Sequence, residues 1–122
     1  FKTMNIAIIG SRNFTDFELL SSTILSYISE RKVNINAVVS GGAKGADTLA
    51  EKFALENHLE ITVFKPDWKK FGKRAGFLRN TNIIENADLV FAFWDGKSKG
   101  TKDSIEKAEK LNKKVILTIF NS

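Results

Sequence analysis

The sequence predicts an α/β fold, a parallel five-stranded sheet in a three-layer sandwich with helices on both faces. Three observations carry this. Five short apolar runs alternate with four amphipathic patterns, the arrangement that feeds parallel strands through right-handed crossovers. The runs are apolar on both faces, as strands covered on two sides require. Glycine-containing turns follow the first, second and fourth runs, so all three open on one edge of such a sheet.

The strands are expected at Asn5–Ile9, Ala37–Ser40, Glu60–Phe64, Leu89–Phe93 and Lys114–Ile119. The first helix runs from about Asp16 to Arg31, with Thr15 or Asp16 as its cap and Phe17, Leu20, Ile24 and Ile28 on one face. The second, from about Gly45 to Asn57, places Ala46, Leu49, Ala50, Phe53 and Ala54 at helical spacing. The third, roughly Lys73 to Glu85, buries Phe77, Leu78, Thr81 and Ile84. The fourth, about Thr101 to Leu111, buries Ile105, Ala108 and Leu111. Pro66, the only proline, stands just past the third strand, and Pro66 to Arg74 reads as a flexible basic loop carrying Trp68 and Phe71.

A length of 122 residues with 43% apolar content fits one domain with one core. Met4 reads as the natural first residue, so Phe1 to Thr3 are left out of the fold reasoning. No apolar run reaches the length of a membrane span, and no signal-peptide core is present. The absence of cysteine excludes disulfides, thiol catalysis and cysteine metal sites and fits a cytoplasmic setting. No carboxylate cluster has metal-ligand spacing, and His58 has no nucleophile or metal set around it; its expected place is a helix end. The net charge of +5 favours anionic partners. Much of the excess lies in two clusters beside glycine turns: Lys65, Lys69, Lys70, Lys73 and Arg74, then Lys97, Lys99 and Lys102.

The turn after the second strand, Ser40-Gly41-Gly42-Ala43-Lys44-Gly45-Ala46-Asp47, is the strongest local signal. Glycines let a backbone approach a ligand closely, and the first amides of the following helix point outward with the positive end of its dipole. This is a seat for an anion such as phosphate. It matches neither the Walker A loop nor the dinucleotide fingerprint. Lys44 is a candidate phosphate contact or a solvated charge. Asp47 is a candidate ribose contact or a first-turn carboxylate favoured by the dipole. After the first strand come Gly10, Ser11 and Arg12: a sharp exit, a hydroxyl donor and a bidentate grip for phosphate, with Asn13 beside them. After the fourth strand come Trp94, placed to stack on a base or to cover the core's rim, and Asp95, an acceptor for a sugar hydroxyl or a turn former. Gly100 and Thr101 then open the last helix. Arg79 either answers a carboxylate within the fold or reaches the ligand edge.

The stretch Val39 to Ala50 resembles the glycine turn of the SLOG superfamily, which includes the DNA-processing protein A family and the cytokinin-activating LOG phosphoribohydrolases. Gly10-Ser11-Arg12 and Trp94-Asp95-Gly96 with Gly100-Thr101 resemble its small YspA-like branch. The resemblance spans Met4 to Phe120. It implies a Rossmann-like sheet of order 3-2-1-4-5 that binds a nucleotide or nucleotide-derived small molecule, with no cofactor. Arg79, nine residues ahead of Asp88, matches the arginine of the LOG enzymes. Their Pro-Gly-Gly-x-Gly-Thr-x-x-Glu is present only as Gly100-Thr101. The glutamate position holds Ser104, with Asp103 beside it, about 100° around the helix. The resemblance therefore implies first a binding domain, a sensor or sequestering protein. An N-glycosidic hydrolase of nucleoside monophosphates is the alternative, with Arg79 orienting the phosphate or ribose and Asp103, or as less favoured choices Asp95 or Asp47, acting at the sugar. Leu78-Arg79-Asn80 with Ile83-Ile84 resembles the arginine-asparagine helix of the DNA-processing family, which makes single-stranded nucleic acid a third, less favoured partner. Self-association is left open.

Overall fold

The computed structural model describes residues 2–121. Along the chain run β1 (Lys2–Gly10), α1 (Phe17–Arg31), β2 (Val33–Ser40), α2 (Ala46–Glu56), β3 (Glu60–Val63), α3 (Trp68–Phe71), a 3-10 turn (Gly72–Arg74), α4 (Ala75–Glu85), β4 (Leu89–Trp94), α5 (Lys99–Lys110) and β5 (Lys114–Ile119). The five strands form one sheet of order β3-β2-β1-β4-β5, every neighbouring pair parallel. This is the expected Rossmann-like α/β architecture. All carboxyl ends share one edge, so the turns after β1, β2 and β4 meet there.

The sheet separates two apolar clusters. On one face, Ile6, Ile8, Val38, Phe91 and Phe93 pack against Leu20 and Ile24 of α1 and Ala46, Ala50 and Phe53 of α2. On the other, Ala7, Ile9, Val39, Val90 and Ala92 pack against Ile83 and Ile84 of α4 and Ala108 of α5. The alternation of partners along each strand is the period-2 geometry of a sheet buried on both sides. Phe14 stacks on Phe93 at 4.9 Å and meets Phe120 edge-on at 4.8 Å, which pins the turn after β1 to the end of β4. Burying such a ring contributes about 1.5–3 kcal/mol.

Several boundaries differ from expectation for identifiable reasons. β1 begins at Lys2 and β2 at Val33, because Lys2, Thr3 and Met4 pair with Val33, Asn34 and Ile35 ahead of a bulge between Met4 and Asn5. Residues 2 and 3 are thus part of the sheet, and Phe1 lies outside the described residues. The basic loop contains the short helix α3, because the Asp67 carboxylate accepts from the Lys70 amide at 3.1 Å. Asp16 caps α1, accepting from the Leu19 amide at 3.0 Å, and His58 takes a left-handed conformation just past α2. Phe77 and Leu78 do not form the inner stripe of α4. They are exposed, while Ala75, Asn80, Ile83 and Ile84 face inward. On α5 the inner positions are Thr101, Ser104 and Ala108, and Leu111 is exposed. No described helix is long and apolar enough to cross a membrane.

Candidate ligand-binding cleft

The three turns enclose a cleft of about 390 Å³ at the carboxyl edge of the sheet. Gly10, Arg12 and Asn13 line it from the first turn, Ala43 and Asp47 from the second, and Asp95, Gly100 and Thr101 from the third. Arg79 and Asn80 of α4 close one wall, and Ile9 and Ile83 supply apolar lining.

Backbone bonds weld the turns together. The carbonyl of Ser11 accepts from Phe14 N at 3.1 Å and from Ala46 N at 3.3 Å, while Ser11 N donates to Phe93 O at 2.9 Å. Gly45 takes φ 74° and ψ −125°, and a Cβ there would collide with the carbonyls of Ser11 and Arg12. Glycine at this position therefore sets how closely the second turn approaches the first.

Asp47 is buried in the first turn of α2, its Oδ2 accepting from Ala43 N at 3.0 Å. Burial raises its carboxyl above the ordinary value of 3.8; the Ala43 amide bond and the positive charges of Arg79 and Arg12 pull the other way. Arg79 is half-buried. Its Nη1 donates to the Gly41 carbonyl at 2.6 Å and its Nε to Asn80 Oδ1 at 3.0 Å. Burial lowers its pKa, and Asp47 opposes that shift. Arg12 is exposed at the rim and near enough for its charge to act on both groups.

Asn80 is a junction. Its Nδ2 donates to the Gly100 carbonyl at 3.3 Å and to Asp103 Oδ2 at 3.2 Å, so α4 holds the first turn of α5 as well as Arg79. Asp95 Oδ1 accepts from Lys97 N at 2.9 Å and Ser98 N at 2.8 Å, and these two bonds hold its carboxyl below the ordinary value. The hydroxyls of Ser98 and Thr101 bond at 2.8 Å. Together these bonds fix the β4–α5 loop against the open end of the helix.

Of the site residues expected from the sequence, Gly10, Arg12, Ala43, Asp47, Arg79, Asp95, Gly100 and Thr101 come together in the cleft. The others stand elsewhere. Ser11 is buried, and its hydroxyl accepts from the Asp95 amide at 3.0 Å, so it braces the first turn against the third. Gly41, Gly42 and Gly45 shape the second turn without lining the cleft, and Lys44 is exposed outside it. Trp94 donates from its indole to the Ser98 carbonyl at 3.0 Å and does not line the cleft. The carboxylate of Asp103 faces Asn80 and the Lys107 ammonium, which lies 2.6 Å away, and Asp103 is not a lining residue. Ser104 does line the cleft, with Ser98 and Lys99. Sequence reasoning missed the part played by Asn80, and its position beside Arg79 was the available signal. Among the described residues no group of His, Asp or Glu side chains is placed to hold a metal ion.

Comparison with known proteins places this geometry in a family. The model of the YspA, cpYpsA-related SLOG family matches residues 4–71, which include the first two turns of the cleft. The Gene 61 protein of Mycobacterium phage D29 is 32% identical over 117 residues, 91% of this chain and 93% of that protein. Among solved structures, DNA processing protein A from Helicobacter pylori, described for its single-stranded DNA binding mode, superposes with a TM-score of 0.69 at 22% identity over 93% of this chain. This chain covers 64% of that one, so the likeness concerns only part of it. The X-ray structure of TM1055 superposes with a TM-score of 0.61 at 21% identity, covering 94% of this chain and 72% of the other. At these identities the two structures establish a shared fold. The family match and the phage relative go further: the chain belongs to the YspA, cpYpsA-related SLOG family.

Proposed function

We propose that this protein binds a phosphate-bearing nucleotide or nucleotide-derived small molecule in the cleft, as a sensor or sequestering domain. The observation that carries the reading is the convergence of two guanidinium groups, Arg12 and Arg79, with the first turn of α5 around one cleft that also holds the buried carboxylate of Asp47. Guanidinium groups bind phosphate through paired charge-assisted bonds, and the amides at a helix start favour an anion. A carboxylate beside them suits sugar hydroxyls. Binding without turnover is favoured because Asp103, the acid nearest the glutamate position of the LOG enzymes, is committed to Asn80 and Lys107. Proton transfer at the sugar needs an acid within hydrogen-bond reach of it.

Isothermal titration against a panel of nucleotides and cyclic dinucleotides tests the proposal. Binding that Arg12→Ala abolishes is the expected result; heats at background for the whole panel retire it. Base release from bound nucleotide, followed by chromatography, separates hydrolysis from simple binding.

A second reading, single-stranded nucleic acid as partner, is supported by the segment from Trp68 to Ile84. It carries Lys69, Lys70, Lys73, Arg74 and Arg79 and no acidic residue, and Trp68, Phe71 and Phe77 are exposed on it. A basic surface with exposed aromatics suits stacked bases and their phosphates. The fold shared with a single-stranded DNA binder is consistent with it.

A further inference from the structure

Recognition of a nucleobase asks for a flat apolar or aromatic surface to stack on and for free donor and acceptor groups facing the base edge. The cleft supplies neither in quantity. None of the described residues that line it is aromatic. Trp94, at the end of β4, spends its indole N–H on Ser98 and stays outside the lining. Trp68, Phe71 and Phe77 are exposed but do not line it either.

The neutral polar groups are largely spent. Both ends of the Asn80 amide are engaged, the oxygen by Arg79 and the nitrogen by Gly100 and Asp103. The hydroxyls of Ser98 and Thr101 bond each other. Asn13 retains its amide, but it is exposed at the rim, where water competes for it. What remains, beside the buried hydroxyl of Ser104, is charge, with Lys99 on the α5 side of the lining. Arg12 makes no bond within the fold among the described residues, Arg79 has a second terminal nitrogen beyond the one on Gly41, and Asp47 and Asp95 each bind amides through a single oxygen. Guanidinium nitrogens suit phosphate oxygens, and carboxylate oxygens suit hydroxyl donors. The free groups therefore match a phosphate and a polyol better than a purine or pyrimidine edge.

From this inventory, and resting on the cleft reading above, we infer that the site grips the phosphate and pentose of its ligand and leaves the base unread. Its ligand class is the phosphorylated pentoses, with nucleoside monophosphates bound whichever base they carry.

The test is a titration of the full chain with AMP, GMP, CMP, UMP, ribose 5-phosphate and the four unphosphorylated nucleosides. The expected result is four nucleotide affinities within about threefold of one another, ribose 5-phosphate within about tenfold of them, and nucleosides weaker by two orders of magnitude or more. Ribose 5-phosphate against the nucleotides separates a free sugar phosphate from a nucleotide as the source of the shared chemistry. A preference of more than about tenfold for one base, or nucleosides binding as tightly as nucleotides, overturns the inference while leaving a ligand in the cleft. Silence from every probe overturns the cleft reading and this inference together.

Discussion

Arg79 reaches from α4 across the sheet edge to place its Nη1 2.6 Å from the carbonyl of Gly41. One side chain thus closes the second turn and presents charge to the cleft. Arg79→Lys keeps the charge and loses the planar fork that serves Gly41 and Asn80 together. The expected outcome is a stability loss of about 1–2 kcal/mol and an affinity loss of tenfold or more for a phosphorylated ligand. Arg12→Lys, at an exposed position without internal bonds among the described residues, is expected to lower affinity and leave the denaturation midpoint in place. Urea unfolding and calorimetric titration of both variants check the contrast.

Gly45 and Gly72 take almost the same backbone conformation, φ 74° and ψ −125° against φ 58° and ψ −135°. Their surroundings differ. A Cβ on Gly72 meets nothing within 4 Å, whereas one on Gly45 runs into the Ser11 and Arg12 carbonyls. Gly72→Ala is expected to cost the backbone strain alone, about 1–3 kcal/mol. Gly45→Ala adds a collision between two turns and is expected to exceed about 4 kcal/mol. Equal denaturation midpoints for the two variants would contradict the close approach of the first and second turns.

The contrast between backbone and side chains also explains what the sequence made legible. Runs such as Ile6 to Ile9 and Leu89 to Phe93 declare themselves as strands buried on both faces, and the glycine turns after them fix the rim where a ligand belongs. Side-chain direction at that rim was not legible. The hydroxyl of Ser11 turns inward because its partner is the amide of Asp95, 84 residues away, and no local pattern encodes that pairing. The inner face of α4 was hidden for a related reason. Hydrophobicity points to Phe77 and Leu78, yet Asn80 is the buried residue, its amide satisfied by Arg79, Gly100 and Asp103. A fully bonded polar group can occupy an interior position that an apolar stripe would otherwise claim.

Asp47 and Asp95 are expected to respond to pH with opposite signs. Burial raises the Asp47 carboxyl above 3.8, so the folded chain binds that proton more tightly than the unfolded chain. Its contribution to stability is complete below the unfolded value and is lost as pH rises through the folded one. Asp47→Asn removes the buried charge and keeps a side-chain oxygen for Ala43, so the variant's stability advantage should open as pH rises above the ordinary carboxyl value while ligand affinity falls. For Asp95, amide bonds from Lys97 and Ser98 lower the folded value. That contribution is present above the unfolded value and is lost as pH falls through the folded one. Asp95→Asn is therefore expected to destabilise at neutral pH, and the deficit should close on acidification. Urea midpoints of the three proteins from about pH 2 to about pH 8 check both signs, Asp95 on the acid side of the ordinary carboxyl value and Asp47 above it.

The basic segment yields a prediction separable from the cleft. None of the described ion pairs involves Lys69, Lys70, Lys73 or Arg74, so their charge is available to a partner. If single strands lie across this surface, each phosphate neutralised releases counterions, and the slope of log affinity against log salt steepens by about 0.7. Lys70→Ala with Lys73→Ala is then expected to flatten the slope for oligothymidylate by about 1.4. Trp68→Ala removes a stacking platform that is 55% exposed, so it should weaken binding by about 1–3 kcal/mol without changing the slope. Neither change touches the cleft lining, so mononucleotide affinity should hold in both variants. Fluorescence anisotropy at several salt concentrations, run beside a nucleotide titration, gives both readings, and a salt-independent oligonucleotide affinity would remove the segment from nucleic-acid binding.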